Sequence, residues 1–285
     1  MFKFSRVPQF VTGRSERKHA VYCVHGGIKA WEIFLIIFLG LFLLLRRYIL
    51  MKKFVTEDDF WSLFPNARIG VIICNGIDNS IKDKDKYKDI ISNSEKEALK
   101  YLNNEQFSSN EVIKIWREAF QKFKTKKGAR SSIEALLKRV YNGTHLGTIN
   151  PLVDIYNSIS LKYGLPCGGE DIDTFVGDIR LTKAVGNENF ITLGTDKNAP
   201  PYEGEIIYKD SEGAICRCWN WRESVRTMLT ENTQNAFLCI ELIDEGRLKE
   251  FEDALKDLLK MVQDNLGGTC KISIIDINNK EVSLN

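Results

Sequence analysis

At Gly164 the apolar pattern of the chain changes period. Before it, Asn150-Pro151 opens a helix: Asn is a good N-cap, and Pro suits the first helical position. Leu152, Ile155, Ile159 and Tyr163 form one stripe, Asp154 and Asn157 lie on another face, and Gly164 supplies the stop. After it, glycines alternate with short apolar runs (FITLG, GEIIY, AICRCW), which predicts strands and tight turns through Cys218.

The flanking segments extend this reading. Ile69–Cys74 (IGVIIC), closed by Asn75-Gly76, predicts a strand and turn. Lys82–Asn104 is strongly charged and predicts an exposed helix. Asn110–Lys122 carries Val112, Ile115, Trp116 and Phe120 at helical spacing, so Trp116 is expected in the core. Glu245–Leu266 predicts an amphipathic helix stopped by Gly267-Gly268, and Lys271–Ile277 a last strand. Helices, then strands, then a helix and a strand place the chain in the α+β class. There is no internal repeat and no low-complexity segment.

The amino terminus differs in kind. Ile33–Leu45 is a run of thirteen apolar residues closed by Arg46-Arg47. That is short of the ~20 needed to cross a bilayer, and no small-residue cleavage site follows it. It reads as a short membrane anchor, a signal-like segment, or upstream sequence translated from a wrong start, with Met51 opening the protein proper. Residues 1–50 form the leader and 51–285 the domain; membrane contact is expected only if residues 28–50 anchor the chain. Residues 1–50 carry eight Lys/Arg against two Asp/Glu, and the remainder 32 against 36. A mildly acidic body is no general nucleic-acid binder, so RNA contact must come from local patches.

Seven scattered cysteines in a chain long enough to bury a core imply reduced thiols and a cytosolic compartment. Cys216 and Cys218 could share one face of a strand, but a zinc site needs four ligands and no histidine is near; no metal and no cofactor are expected. The chain has no phosphate-binding Walker loop, no G-x-S-x-G and no H-E-x-x-H. A Ser/His/Asp machine would have to use His145, in what reads as a loop.

Four stretches are polar where a plain core would be apolar. In the first, Lys122, Lys124, Lys126, Lys127 and Arg130 occur with no acid among them, followed by Ser131-Ser132. Phosphates favour such a cluster; alternatively it is a solvated loop, with one serine capping the next helix. In the second, Asp154 and Asn157 are either site residues or a wet helix face. In the third, LPCGGEDID, Gly168-Gly169 permits close backbone approach. There Glu170 and Asp171 can hold an amino group or orient water, unless they merely cap a turn. In the fourth, CRCWNWRESVRTMLTENTQN, arginines beside Trp219 and Trp221 suit base stacking or an aromatic amino acid. They also suit an ion pair of Arg222 with Glu223 or Glu231. Thr227, Thr230 and Thr233 recur as along one side of a helical turn.

Taken together, RSSIEALLKRV, INPLVDIYNSISLKYGLPCGGEDID and CRCWNWRES resemble the standalone B3/B4 proteins and, more distantly, the editing module of the phenylalanyl-tRNA synthetase β subunit. The resemblance covers roughly residues 51–245, with its specific motifs in 130–233. It implies the B3/B4 fold and a partner, the aminoacyl end of tRNA, whose wrong ester that module hydrolyses. Carried over by position, the Thr-Asn of that site becomes Tyr156-Asn157, and the glutamate that reads the tyrosine hydroxyl is matched by Glu223. Its histidine becomes Gly168, so the substrate need not be tyrosine, and Glu170 or Asp171 can replace the lost contact.

The expected catalytic residues are therefore Glu223, Asn157, Glu170 and Asp171. The expected substrate contacts are Asp154, Tyr156, Gly168, Gly169, Asn220, Trp221 and Arg222. Lys126, Lys127, Arg130 and Ser131 are expected to meet RNA. The function this implies is a tRNA-binding, trans-acting deacylase of mischarged tRNA. The alternative is a module that binds tRNA or an amino acid without hydrolysis. A small-molecule hydrolase is a third reading, and full ligase activity is set aside because no ATP site or charging domain has room.

Overall fold

The computed structural model describes residues 52–284. The apolar run at 33–45 and the Met51 start lie outside the described residues, as does the whole of the expected leader. Among the described residues no helix is long and apolar enough to cross a membrane.

Two sheets form the framework. The first has the order β10-β1-β4-β5-β6-β7: β1 is Lys53–Thr56, β4 Ile179–Lys183, β5 Ile206–Lys209, β6 Ala214–Arg217, β7 Arg222–Glu223 and β10 Glu281–Ser283. Only β1 and β4 pair in parallel. The second is antiparallel, β3-β8-β2-β9, with β2 at Arg68–Asn75, β3 at Cys167–Asp171, β8 at Asn235–Leu242 and β9 at Thr269–Ile275.

The period-2 geometry of β8 divides the core. Ala236, Leu238, Ile240 and Leu242 pack with Leu152, Ile155 and Ile159 of α5 (Pro151–Tyr163) and Leu255, Leu258 and Val262 of α6 (Leu248–Leu266). Phe237 and Cys239 face the other way and join Phe54, Ile179, Tyr208 and Ile215 of the first sheet. Layers of helices, four-stranded sheet and six-stranded sheet result. The helix α2 (Lys84–Ala98) also flanks this framework, with Tyr87 in the helix-side core.

The sheet-side core continues into an aromatic cluster. Short α1 (Asp58–Trp61) and α3 (Glu111–Phe120) contribute Phe60, Trp61 and Trp116. Trp219 stands among them, its ring centroid 5.1 Å from Phe60, 4.5 Å from Phe64 and 5.1 Å from Trp116. The helix α4 (Ser132–Tyr141) is tied to α3 by Arg117, whose Nη2 lies 2.6 Å from Oε1 of Glu134.

Local expectations meet the structure unevenly. Asn150 caps α5, its side chain accepting from Val153 N at 3.1 Å, Pro151 sits in the first turn, and Gly164 ends it at φ 60°. Asn79 reinforces this entry, donating to Asn150 Oδ1 at 3.1 Å and accepting from Leu152 N at 2.8 Å. FITLG is loop rather than strand, and there the Phe190 N–H donates to Asn198 Oδ1 at 2.8 Å instead of to a ladder. Gly168-Gly169 lies inside β3, paired with Cys239 and Leu238, and not in a turn. The threonines from 227 to 233 do not form a helical turn. Thr233 Oγ1 accepts from Thr230 N at 3.0 Å and donates to Asp171 Oδ2 at 2.7 Å, which binds this segment to β3.

Candidate functional site

Between the sheets, at the β3 edge, lies a cavity of about 590 Å³. Strands of both sheets wall it, and α4, α5 and the turn after β6 supply much of its polar lining. β3 brings Gly168, Gly169 and Glu170; α5 brings Tyr156 and Asn157; α4 and the residues before it bring Arg130, Leu136 and Arg139. The turn after β6 brings Trp219, Asn220 and Trp221, and β7 brings Arg222 and Glu223. Cys218 and Trp219 adopt φ of 46° and 64° there, a left-handed conformation that β-carbon-bearing residues avoid. The packing of Trp219 and its N–H bond to Ile206 O at 2.6 Å hold that turn. Arg217, fully enclosed, braces its start against Glu205, with Nη2 to Oε1 at 2.5 Å.

The interior is acidic. Glu170, Glu223 and Glu241 all line the cavity. Glu241 is 1% exposed; burial pushes its carboxyl up to about 7, opposed by hydrogen bonds from Tyr208 at 2.5 Å and from Asn220. The Trp219 indole N–H points toward the same carboxyl and eases its charge without closing a bond of normal geometry. Burial also pushes Glu223 up to about 7, with Arg222 pulling it back. Glu223 retains some exposure, and that surface opens onto the cavity.

Glu170 is 6% exposed and held well above the usual carboxylate range, first by burial and then by the charge of Glu223. Its Oε2 has no hydrogen-bond partner, and neither does Asn220 Oδ1. Thr227 stands close enough to ease Glu170, yet its hydroxyl closes no bond either. Two buried acceptors beside a cavity, both unmatched, call for a ligand that brings donors.

The rim is basic and aromatic. Arg130, Arg139 and Arg222 line it and are exposed. The Arg222 guanidinium lies 5.4 Å and the Lys126 ammonium 5.9 Å from the Trp221 ring centroid. Leu193, 72% exposed, and Thr192 close one side from the loop after β4.

Most of the residues expected from sequence converge here, and some do not. Asp171 points away from the cavity, because successive residues of a strand face opposite sides; its oxygens accept from Asp173 N at 3.0 Å and Thr233 Oγ1 at 2.7 Å. Asp154 is enclosed near the start of α5, accepting from Ile149 N at 2.9 Å. Ser131 caps α4, its hydroxyl accepting from Glu134 N at 3.3 Å. Lys127 is exposed away from the lining, and Lys126 reaches the site only through Trp221. Arg222 pairs with neither Glu223 nor Glu231 as a salt bridge; in the same stretch Arg217 pairs with buried Glu205 and Arg226 holds buried Asp210 at 2.7 Å. His145 hydrogen-bonds Glu95 at 2.8 Å and does not line the cavity.

Sequence reasoning passed over Glu241, Tyr208 and Arg139. A glutamate inside the otherwise apolar AFLCIEL of a central strand is the signal that could have found the first. Among the described residues no group of His, Cys, Asp and Glu is arranged to hold a metal ion.

Fold and cavity together define a two-sheet α+β domain with an acid-lined cavity behind a basic rim. The chain belongs to the B3/4 domain family, whose model matches residues 115–264, more than half of its length. It is similar to the phenylalanine–tRNA ligase beta subunit of Mycoplasmoides gallisepticum (strain R(low / passage 15 / clone 2)), 31% identical over 111 residues. That stretch is 39% of this chain and only 14% of the relative. Among solved structures it is similar to an N-terminal fragment of the phenylalanyl-tRNA synthetase beta-subunit from Pyrococcus horikoshii. There the TM-score is 0.40 and the identity 14%, over 81% of this chain and 53% of that one.

Proposed function

We propose that the chain binds the aminoacyl end of tRNA and hydrolyses the ester of mischarged tRNA in trans. The observation that carries this reading is the reversal of charge along the cavity, from arginines at the rim to three carboxyls inside. An aminoacyl-tRNA end has the complementary order: phosphates outside, then the ester, then a free ammonium and a side chain. Arg130, Arg139 and Arg222 take the phosphates. Glu170 and the unmatched Asn220 oxygen accept from the ammonium. Tyr156, Leu136, Ile179 and Phe237 surround the acyl side chain.

Glu223 is the general base. Its carboxylate takes a proton from water while the water oxygen attacks the ester carbonyl; as the tetrahedral intermediate collapses, the C–O bond to ribose breaks and the ribose oxygen leaves with the proton that Glu223 took, which restores the carboxylate. A carboxyl near 7 is ionised in part at neutral pH, which suits a base. Asn157 orients the water. The relative's name identifies a tRNA ligase subunit, and the shared family favours tRNA over an unrelated ester.

A second reading, binding without hydrolysis, is favoured by burial, which shifts all three carboxyls toward their neutral forms, and by a lining that holds no histidine among the described residues. Full-length chain incubated with a panel of mischarged tRNAs separates the two. Loss of ester above the spontaneous rate supports hydrolysis. Retention of every ester with saturable tRNA binding supports the second reading, and the absence of both overturns both.

A further inference from the structure

Six cysteines lie among the described residues, all as free thiols. Cys167, Cys216 and Cys239 line the cavity and burial pushes each thiol up; Cys218 is raised to about 12 for the same reason. These four are poor nucleophiles. The other two differ in setting.

Cys74 on β2 and Cys270 on β9 are directly opposed in the antiparallel ladder. Opposed residues in such a ladder have Cα atoms about 4.5 or 5.5 Å apart, inside the ~4.4–6.8 Å that a disulfide spans. Their side chains share a face. Cys74 belongs to the core cluster that contains Leu255 and Leu258 of α6, and Cys270, Ile272 and Ile274 pack against that cluster. The influence of each thiol on the other raises Cys74 and lowers Cys270.

The strand ends are clamped beside the pair. Asp78 N donates to Leu266 O at 2.9 Å, and a β-carbon on Gly268 would stand 2.6 Å from Asn75 O. Cys270 keeps partial exposure while Cys74 is enclosed.

We propose that Cys74 and Cys270 are a redox-active pair that closes to a cross-strand disulfide on meeting a hydroperoxide. The Cys270 thiolate attacks one peroxide oxygen and the O–O bond breaks. Cys270 becomes a sulfenic acid, and the other oxygen leaves as water with one proton from solvent. The Cys74 sulfur then displaces that hydroxyl from the Cys270 sulfur, giving up its own proton, and a second water leaves. Two thiols are oxidised to one disulfide and one hydrogen peroxide is reduced to two waters. A dithiol reverses the step. The disulfide ties β9, an edge strand, to the interior strand β2 and so fixes the carboxy-terminal segment that continues into β10. This inference is independent of the proposed hydrolysis.

The test uses the full-length chain in mild detergent with Cys23→Ser, since Cys23 lies outside the described residues. Equimolar hydrogen peroxide is added, free thiols are alkylated after denaturation, and peptides are read by mass spectrometry. The expected product joins the Cys74 and Cys270 peptides, is released by dithiothreitol, and melts roughly 5–10 °C higher than the reduced protein. Adding Cys74→Ser should leave Cys270 as a sulfenic acid that dimedone traps, a readout that does not depend on the melting point. The inference is overturned if another cysteine pair forms instead, if Cys270 passes to sulfinic acid while Cys74 stays a thiol, or if both thiols survive.

Discussion

Tyr208 of β5 donates its hydroxyl hydrogen to Oε1 of Glu241 at 2.5 Å, a bond that runs from the six-stranded sheet to the four-stranded one. Asn220 serves the other oxygen from the turn after β6. One carboxyl thus fixes the spacing of both sheets and the position of the turn that leads into Arg222 and Glu223. Dry surroundings push it up to about 7 from an ordinary 4.5.

That displacement makes stability depend on pH with a definite sign. The fold favours the neutral carboxyl, so its contribution is complete below about pH 4.5 and is lost as pH rises through about 7. The difference corresponds to about 3 kcal/mol at full ionisation. Glu241→Gln stays neutral throughout, so its unfolding free energy should fall less between pH 4.5 and 8 than that of the parent, by up to that amount. Urea unfolding at the two pH values measures it, and parallel curves for parent and variant would refute the assignment.

Glu223 supplies the second prediction. If it is the base, Glu223→Gln should lower deacylation on the order of a hundredfold, the scale of one positioned acid–base group. Parent activity above background should rise as pH passes through about 7 and then level, and the variant should lose that inflection. Gln preserves the shape, so circular dichroism and melting should change little. A variant that hydrolyses and binds every mischarged tRNA as the parent does would remove Glu223 from the mechanism.

The two neighbouring glycines of β3 should respond differently to alanine. At Gly169 a β-carbon would stand 2.6 Å from Leu238 Cδ2 and 2.9 Å from Leu229 Cδ1, so side chains must shift, at about 1–3 kcal/mol. At Gly168 it would meet only Cys239 Sγ, at 3.7 Å, an ordinary contact, so stability should stay within ~0.5 kcal/mol. The added carbon at Gly168 stands in the cavity and should weaken ligand binding. Gly168→His extends a side chain from the same position and should shift preference toward tyrosyl esters, read as the ratio of tyrosyl to phenylalanyl ester hydrolysis. Equal melting losses at both positions would contradict this placement of the strand.

What the sequence made legible was local. The cap at Asn150, the stop at Gly164 and the stripes of α3 and α6 depend on neighbours a few residues away, and spacing alone reveals them. Glu170 against Asp171 is different. Which of two adjacent acids faces the cavity depends on the phase of β3 against β8, a pairing with residues more than sixty positions away. The burial of Arg217 with Glu205 and the bond from Tyr208 to Glu241 are likewise long-range partnerships. FITLG has the composition of a strand but takes its hydrogen bonds from side chains and loop backbone, as in Val225 N to Ile191 O at 2.8 Å. Tertiary context overrides strand propensity there.

The last prediction separates the rim from the interior. Arg130 and Arg139 come from the segment before α4 and from α4 itself, and both are exposed at the cavity mouth. Neither forms a salt bridge among the described residues. Lys127, expected from sequence to share their role, lies away from the lining. Each phosphate that a cation neutralises adds roughly 0.7–0.9 to the slope of log affinity against log salt. Arg130→Ala with Arg139→Ala should therefore weaken tRNA binding at low salt and flatten the slope by roughly 1.5, while Lys127→Ala should change it much less. Arg222 is left intact on purpose: its charge holds Glu223 down, so its loss would alter the base as well as the rim. In the double variant the pH inflection near 7 should stay in place once saturating tRNA is used, since neither arginine acts on Glu223. Binding measured by fluorescence anisotropy over a salt series decides it: an unchanged slope in the double variant would place the RNA backbone elsewhere on the domain.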